Sequence, residues 1–232
     1  MARQVNSYLT ENGLLPRCQS AYRRHHSTET AMLRVLSDAL TAADNRQVTL
    51  LGMLDLSAAF DCVDHLILLQ RLERNFGLTD AVLQWMTSFL TGRTQQVIYD
   101  GRLSAIQQVR FGVPQGSVLG PLLFTVYTAE VSKIVISHGC QVHVYADDCQ
   151  VYVSVPVDAA SSATTRLSQC IADVVESFSM NRLRLNPAKT PVIWLGSKQQ
   201  VDKSTSSTCR SCPQRSERWT VRATSASLST AT

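Results

Sequence analysis

Tyr145-Ala146-Asp147-Asp148 constrains this chain more than any other stretch. Two adjacent carboxylates stand at the tip of what reads as a β-hairpin. Gln141-Val142-His143-Val144 comes before them and Gln150-Val151-Tyr152-Val153-Ser154-Val155 after. Both alternate apolar and polar, the period of a half-buried strand. Like charges held together at a turn repel. A divalent cation between them removes that cost. Ordinary turn chemistry, in which Asp is common, is the other account. The choice depends on a partner carboxylate elsewhere.

Asp55 is the candidate partner. It ends the apolar run Val48-Thr49-Leu50-Leu51-Gly52-Met53-Leu54, which reads as a buried strand. An acid there suits a metal, or caps the turn that follows. After Leu56-Ser57-Ala58-Ala59-Phe60-Asp61, an amphipathic helix is expected from about Asp64 to Leu72. Phe111-Gly112-Val113-Pro114-Gln115-Gly116-Ser117 is a Gly/Pro loop leading into an apolar helix-like run, Val118 to Val131, with Ser117 as its N-cap. Gly116 lets backbone approach a ligand closely.

In this order the segments resemble the palm of a reverse transcriptase. Leu54-Asp55-Leu56-Ser57-Ala58-Ala59-Phe60-Asp61 is similar to the first palm motif, Gly112 to Ser117 to the second, and Tyr145-Ala146-Asp147-Asp148 to the third. A fourth segment, Met180-Asn181-Arg182-Leu183-Arg184-Leu185-Asn186-Pro187-Ala188-Lys189-Thr190, follows. The wording resembles non-LTR retrotransposons of the jockey-like group, over roughly Asn6 to Ser197. The resemblance implies an α+β polymerase right hand: an antiparallel palm sheet backed by helices, partial helical fingers and no thumb. The Asp55 strand should lie beside the Asp147–Asp148 hairpin. Residues 1–45 would be partial fingers and 46–197 palm.

It also implies nucleotide transfer with two metal ions, Mg²⁺ with Mn²⁺ as substitute, roughly 4 Å apart. Asp55 and Asp147 would be shared ligands, with the Leu56 carbonyl on the nucleotide-side metal and Asp148 on the primer side. Phe60 would sit beneath the sugar and reject a 2′-OH, or else be a core ring. Gln115 and Gly116 would line the nascent base pair. Lys189 would protonate the leaving pyrophosphate, or stand as a solvated turn lysine. Tyr145 would pack beside the primer, or across the hairpin. The partners implied are an RNA template, a DNA primer and deoxynucleoside triphosphates. No specific protein partner is implied.

Gln19-Ser20-Ala21-Tyr22-Arg23-Arg24-His25-His26-Ser27-Thr28 resembles a fingers motif of the family, with Ala21 in a glycine place. A positive φ there would strain the backbone. Arg23 and Arg24 would meet template or triphosphate, or form a solvated basic turn. A helix is expected from Glu29 to Ala42.

The net charge of +4 does not make the palm region basic. Residues 1–197 carry 16 Lys and Arg against 16 Asp and Glu, and residues 198–232 carry 6 against 2. Nucleic-acid affinity, which phosphate contacts dominate, must then come from patches such as Arg17, Arg23 and Arg24, or Arg93, Arg102 and Arg110. No run of 18 apolar residues occurs, so no membrane span is expected. Seven scattered cysteines read as free thiols. Cys209-Arg210-Ser211-Cys212 lacks the second pair that a zinc site needs.

After Ser197, 14 of 35 residues are Ser or Thr and only Val201, Val221 and Leu228 are branched aliphatics. Disorder over 198–232 is the expectation. Ala223 to Ser229 also matches a one-nucleotide shift of a downstream family segment. An out-of-frame tail starting between about Gln199 and Cys209 follows from that. Upstream fingers, thumb and endonuclease are absent from the sequence, which favours a second reading: an inactive remnant binding nucleic acid weakly or not at all. A viral RNA-dependent RNA polymerase is opposed by Ala146 and by the bulky Phe60.

Overall fold

The computed structural model describes residues 1–206 and 222–224. In chain order its elements are α1 (Ala2–Glu11), α2 (Thr28–Asp44), β1 (Gln47–Leu54), β2 (Leu56–Ser57), α3 (His65–Arg74), α4 (Asp80–Leu90), β3 (Thr94–Gln95), β4 (Ile98–Tyr99), β5 (Arg102–Leu103) and β6 (Gln107–Gln108). Then come α5 (Leu119–Tyr127), α6 (Val131–Ser137), β7 (Gln141–Tyr145), β8 (Asp148–Pro156), α7 (Ala160–Met180), β9 (Arg184–Leu185), β10 (Val192–Leu195), α8 (Lys198–Ser206) and β11 (Arg222–Thr224). The chain divides into two compact units.

One unit comprises Arg17–Ser57, Glu130–Phe178 and the described residues from Arg184 on. Its centre is an antiparallel sheet in the order β11-β10-β1-β8-β7. The apolar run 48–54 becomes β1, paired along its whole length with β8 from Gln47↔Pro156 to Leu54↔Cys149. Both faces of β1 are covered, which is why its sequence does not alternate. Leu51 packs with Val35 of α2 and Tyr152, flanked by Met53 and Leu195. On the opposite face a Cβ at Gly52 would touch Ile171 and Leu167 of α7 at 3.4 and 3.8 Å. Helix α2 begins where the sequence indicates. Ser27 Oγ accepts the Thr30 N–H and Thr30 Oγ1 accepts the Ser27 N–H, a complete capping box. Ala31, Val35, Ala39 and Ala42 form its buried stripe.

The second unit comprises Met1–Pro16, Ala58–Ala129 and Ser179–Leu183. Leu9, Leu68, Leu72, Met86, Leu90, Leu123, Phe124 and Tyr127 are fully buried in it. Asp64 caps α3 by accepting the Leu66 and Ile67 N–H groups. Its other oxygen takes Arg182 Nε at 2.6 Å. Tyr127 donates its hydroxyl to the Asn181 carbonyl at 2.7 Å, and Arg71 donates to the Tyr127 carbonyl and to Asn181 Oδ1.

Three expectations change. The apolar run Val118–Val131 is not one helix: it breaks after Tyr127 and restarts at Val131. Thr128 Oγ1 back-bonds to the Phe124 carbonyl and the Ala129 N–H turns to Val126, drawing the backbone out of the helical ladder. Second, Leu119–Ser137 is apolar enough to span a membrane by length and composition, at mean hydropathy 1.4, although no unbroken apolar run occurs there. Half of it is buried within the protein, and it is interrupted at 128–130. Third, disorder does not begin at 198. Lys198–Ser206 is helical, with Val201 and Ser204 fully buried. Val201 lies 3.5 Å and Val48 3.3 Å from where a Cβ on Gly196 would stand, so one valine anchors the helix to the sheet. The backbone of 222–224 pairs with β10. Cys209, Cys212 and the remainder of the tail lie outside the described residues.

Candidate active site

The β7–β8 hairpin places its acids by register. Tyr145 pairs with Asp148, leaving Ala146-Asp147 as a two-residue turn. Ala146 is left-handed, at φ 57°. A non-glycine residue there costs roughly 1–2 kcal/mol, so the turn needs support. Gln19 supplies it. Its Nε2 donates to the Ala146 carbonyl at 3.2 Å, and its Oε1 accepts the Ala146 N–H at 3.1 Å and the Ala21 N–H at 2.9 Å. Gln19 is 3 % exposed. Its segment runs parallel to β7, with the Ser20 N–H on the Val144 carbonyl and Val144 N–H on Cys18. Ser20 Oγ bonds His143 Nε2 at 3.0 Å beneath.

Gln19 lies in the fingers-like segment, and nothing local in the sequence marks it as the brace of a turn at Ala146. Ala21 itself is not left-handed; its neighbour Tyr22 is, at φ 62°, so the missing glycine brings no strain. Gln19→Ala is expected to destabilise the fold by about 1–3 kcal/mol, since three backbone groups lose their partner. A thermal melt measures this.

Asp55 follows Leu54, whose register partner is Cys149, directly after Asp148. The strand that ends in one acid therefore runs beside the strand that begins with another. The Asp148 carboxyl is raised above its ordinary 3.8 by partial burial, then by repulsion from Asp147 and from Asp55. Tyr22 feels the same field: burial first, then Asp147, lifts its hydroxyl. A carboxyl whose folded pKa is raised favours folding below 3.8 and opposes it as pH climbs through the raised value. Asp148→Asn is thus expected to stabilise the chain at neutral pH, the gain vanishing below about 3.8. A gain constant down to pH 3 in melting experiments would contradict the repulsion.

Among the described residues no three His, Cys, Asp or Glu side chains converge closely enough to cage a metal by themselves. Mg²⁺ does not require that. It usually binds one or two carboxylates and completes its shell with water and substrate phosphates. Asp148, within electrostatic range of both Asp147 and Asp55, gives such an ion carboxylates to bind.

The Lys189 segment joins the same unit. The Asn186 N–H donates to the Asp55 carbonyl at 2.8 Å, and Leu56 pairs with Leu185. Leu56 is at a non-hydrogen-bonded position, so its own carbonyl points away from β9. Lys189 lies exposed in a short 3-10 turn, Pro187–Lys189. Arg23 and Arg24 form a turn whose carbonyls bond His26.

Phe60, Gln115 and Gly116 belong to the other unit. Phe60 stacks on Phe124 at 4.6 Å between centroids, and is half-buried. Gln115 Nε2 donates to Asp61 Oδ1 at 2.8 Å. Gly116 is at φ 77° with nothing within 4 Å of a Cβ, so conformation rather than crowding demands glycine there. Gly112, at φ 88°, is different: a Cβ would lie 2.9 Å from Asp61 Cα and O. Ser117 Oγ accepts the Gly120 N–H at 3.0 Å, but the N-cap of α5 is Val118, one residue later than the sequence suggests.

Helices packed on an antiparallel sheet give this chain the mixed helix-and-sheet fold of a right-hand polymerase. The structure resembles telomerase from Candida tropicalis in complex with a TWJ fragment of telomeric RNA, with TM-score 0.62 and 14% identity over 93% of this chain and 39% of that one. Residues 1–213 match the family described as reverse transcriptase (RNA-dependent DNA polymerase), and the chain belongs to it. It is 32% identical over 181 residues to the RNA-directed DNA polymerase from mobile element jockey of Drosophila melanogaster, covering 75% of this chain and 19% of that protein. The probable RNA-directed DNA polymerase from transposon BS of the same species is 29% identical, covering 82% and 21%. The chain thus spans about a fifth of the length of these relatives.

Proposed function

We propose that the chain is polymerase-domain sequence of a retrotransposon reverse transcriptase, adding deoxynucleotides to a DNA primer on an RNA template. Residues 46–197 act as palm and 1–45 as part of the fingers. One observation carries this reading: the β1–β8 register, which sets Asp55 beside the strand that opens at Asp148.

Asp55, Asp147 and Asp148, with the Leu56 carbonyl, would hold divalent ions, Mg²⁺ or Mn²⁺, which would supply positive charge for the attacking and leaving oxygens. Asp55 and Asp147 orient the site by accepting on both sides of it. Lys189 donates a proton to the departing pyrophosphate. Tyr145 packs beside the primer, and Arg23 and Arg24 meet template or triphosphate. Gln115, held by Asp61, and Gly116 line the nascent base pair.

Phe60 lies beneath the incoming sugar, its angle set by Phe124. Phe60→Val is expected to relax selection against ribonucleotides by about 10–100-fold, the scale on which a shaped pocket rejects one hydroxyl. Competing deoxy- and ribonucleotide incorporation measures it. The proposal as a whole is tested by primer extension on an RNA template with Mg²⁺ and with chelator. Metal-dependent extension supports it, and no extension at any metal concentration overturns it for this chain.

A further inference from the structure

Helix α6 ends in a Schellman turn. Gly139 takes its left-handed position at φ 66°, and the Cys140 N–H closes it on the Val135 carbonyl at 3.2 Å. Cys140 is thereby directed inward, 5 % exposed, between the exposed residues Gly139 and Gln141. Strand β7 starts at the next residue. Helix α7 receives this turn. Its Arg166, Cys170 and Asp173 are spaced to share one helix face. Asp173 Oδ2 bonds His138 Nε2 at 2.8 Å, and Arg166 Nη1 lies 3.9 Å from where a Cβ on Gly139 would stand. Between these two contacts Cys170, fully buried, donates a hydrogen bond to the Cys140 sulfur. All of these residues belong to the sheet unit, and both cysteines are free thiols.

The two thiols are not equivalent. The hydrogen bond from Cys170 holds the Cys140 thiol below its ordinary 9.0 in spite of burial, and the charges of Arg166 and His138 act the same way. The same hydrogen bond, followed by burial, raises Cys170. Burial pushes the neighbouring Cys149 up to about 12 and also raises Cys18. Thiolate is the nucleophilic form of cysteine, so Cys140 is the reactive member of the pair and Cys170 the thiol placed to resolve it.

We propose that Cys140 and Cys170 are a site of oxidation by hydrogen peroxide, joined by a reversible disulfide that fastens the start of β7 to α7. The Cys140 thiolate attacks one peroxide oxygen. The O–O bond breaks, and the departing hydroxide takes up the proton that Cys140 had released. Cys140 is left as a sulfenic acid. The Cys170 sulfur then attacks the Cys140 sulfur. The S–O bond breaks, and the oxygen leaves as water with the Cys170 proton. Two thiols lose two electrons and one peroxide becomes two waters. The oxidant has to be small, because Cys140 is covered while the residues on either side of it are open. The pairing does not depend on the polymerase reading.

The test treats the folded full chain with hydrogen peroxide at neutral pH, blocks the remaining thiols with iodoacetamide and maps the peptides by mass spectrometry. A linked Cys140–Cys170 peptide is expected, formed before Cys62 is modified, although Cys62 is the more exposed thiol. The linked chain should melt about 5–10 °C higher, the gain from a typical disulfide in a chain of this size, and dithiothreitol should abolish the gain. Cys170→Ala should leave Cys140 as a sulfenic acid that dimedone traps. Arg166→Gln, at an exposed position, should slow the linkage without changing which peptide forms. Absence of the linked peptide while circular dichroism shows the fold intact overturns the proposal. So does a link from Cys170 to Cys149, or oxidation of Cys62 ahead of Cys140. A sulfenic acid that persists at Cys140 in the parent chain makes it a lone oxidisable thiol and overturns the pair.

Discussion

Primer extension by the Asp147→Asn chain is expected to fall by about 10³-fold or more with no loss of melting temperature. The substitution keeps shape and removes one charge. Ions clamped by carboxylates supply several kcal/mol of transition-state stabilisation, and each 1.36 kcal/mol is about tenfold in rate. Stability should not follow, because Asp147 sits in a partly exposed turn and exposed charges contribute roughly 0–1 kcal/mol. A second readout separates chemistry from misfolding. Asp147 is one of the two charges that lift Asp148, so the Asp148 carboxyl should titrate nearer its ordinary value in the variant. Equal extension by parent and variant would remove the claim of activity. Asp55→Asn should behave like Asp147→Asn.

Gly112→Ala is expected to be the most destabilising single-methyl change in the chain, at about 3 kcal/mol. Backbone at φ 88° strains any L residue, at roughly 1–2 kcal/mol. The new methyl would also meet Asp61 backbone at 2.9 Å, and such overpacking costs about 1–3 kcal/mol. The neighbour cannot swing away as a side-chain tip would. For a chain of this length the melting temperature should drop about 6–12 °C. The Asp61–Gln115 bond should loosen with it. Gly116→Ala is the control, since open space surrounds that position and only the conformational cost applies. Equal losses at both positions would show that crowding at Asp61 is not the cause.

Legibility differed sharply among elements. Helix α2 was readable to within two residues because its signals are contiguous: Ser27 and Thr30 close the box, and the buried stripe recurs each turn. The hairpin 141–156 was readable because alternation persists on both sides of the acids. The 118–131 run was not, because Thr128 redirects the backbone without any Gly or Pro to announce it. Helix α8 was hidden because composition averaged over 35 residues conceals what a single buried Val201 does against Val48.

The sequence by itself determined the local pieces: a hairpin bearing two acids, a buried strand ending in a third, a glycine-marked loop, and an order of motifs that defines the family. These depend on neighbours in the chain. Tertiary structure alone decided the register of Leu54 against Cys149, the grasp of Gln19 on Ala146, and the Asn186 bond to the Asp55 backbone. Each joins residues far apart in sequence. Such contacts form only after loop closure has been offset by burial on both faces of the sheet, and no local period encodes which partner that burial selects.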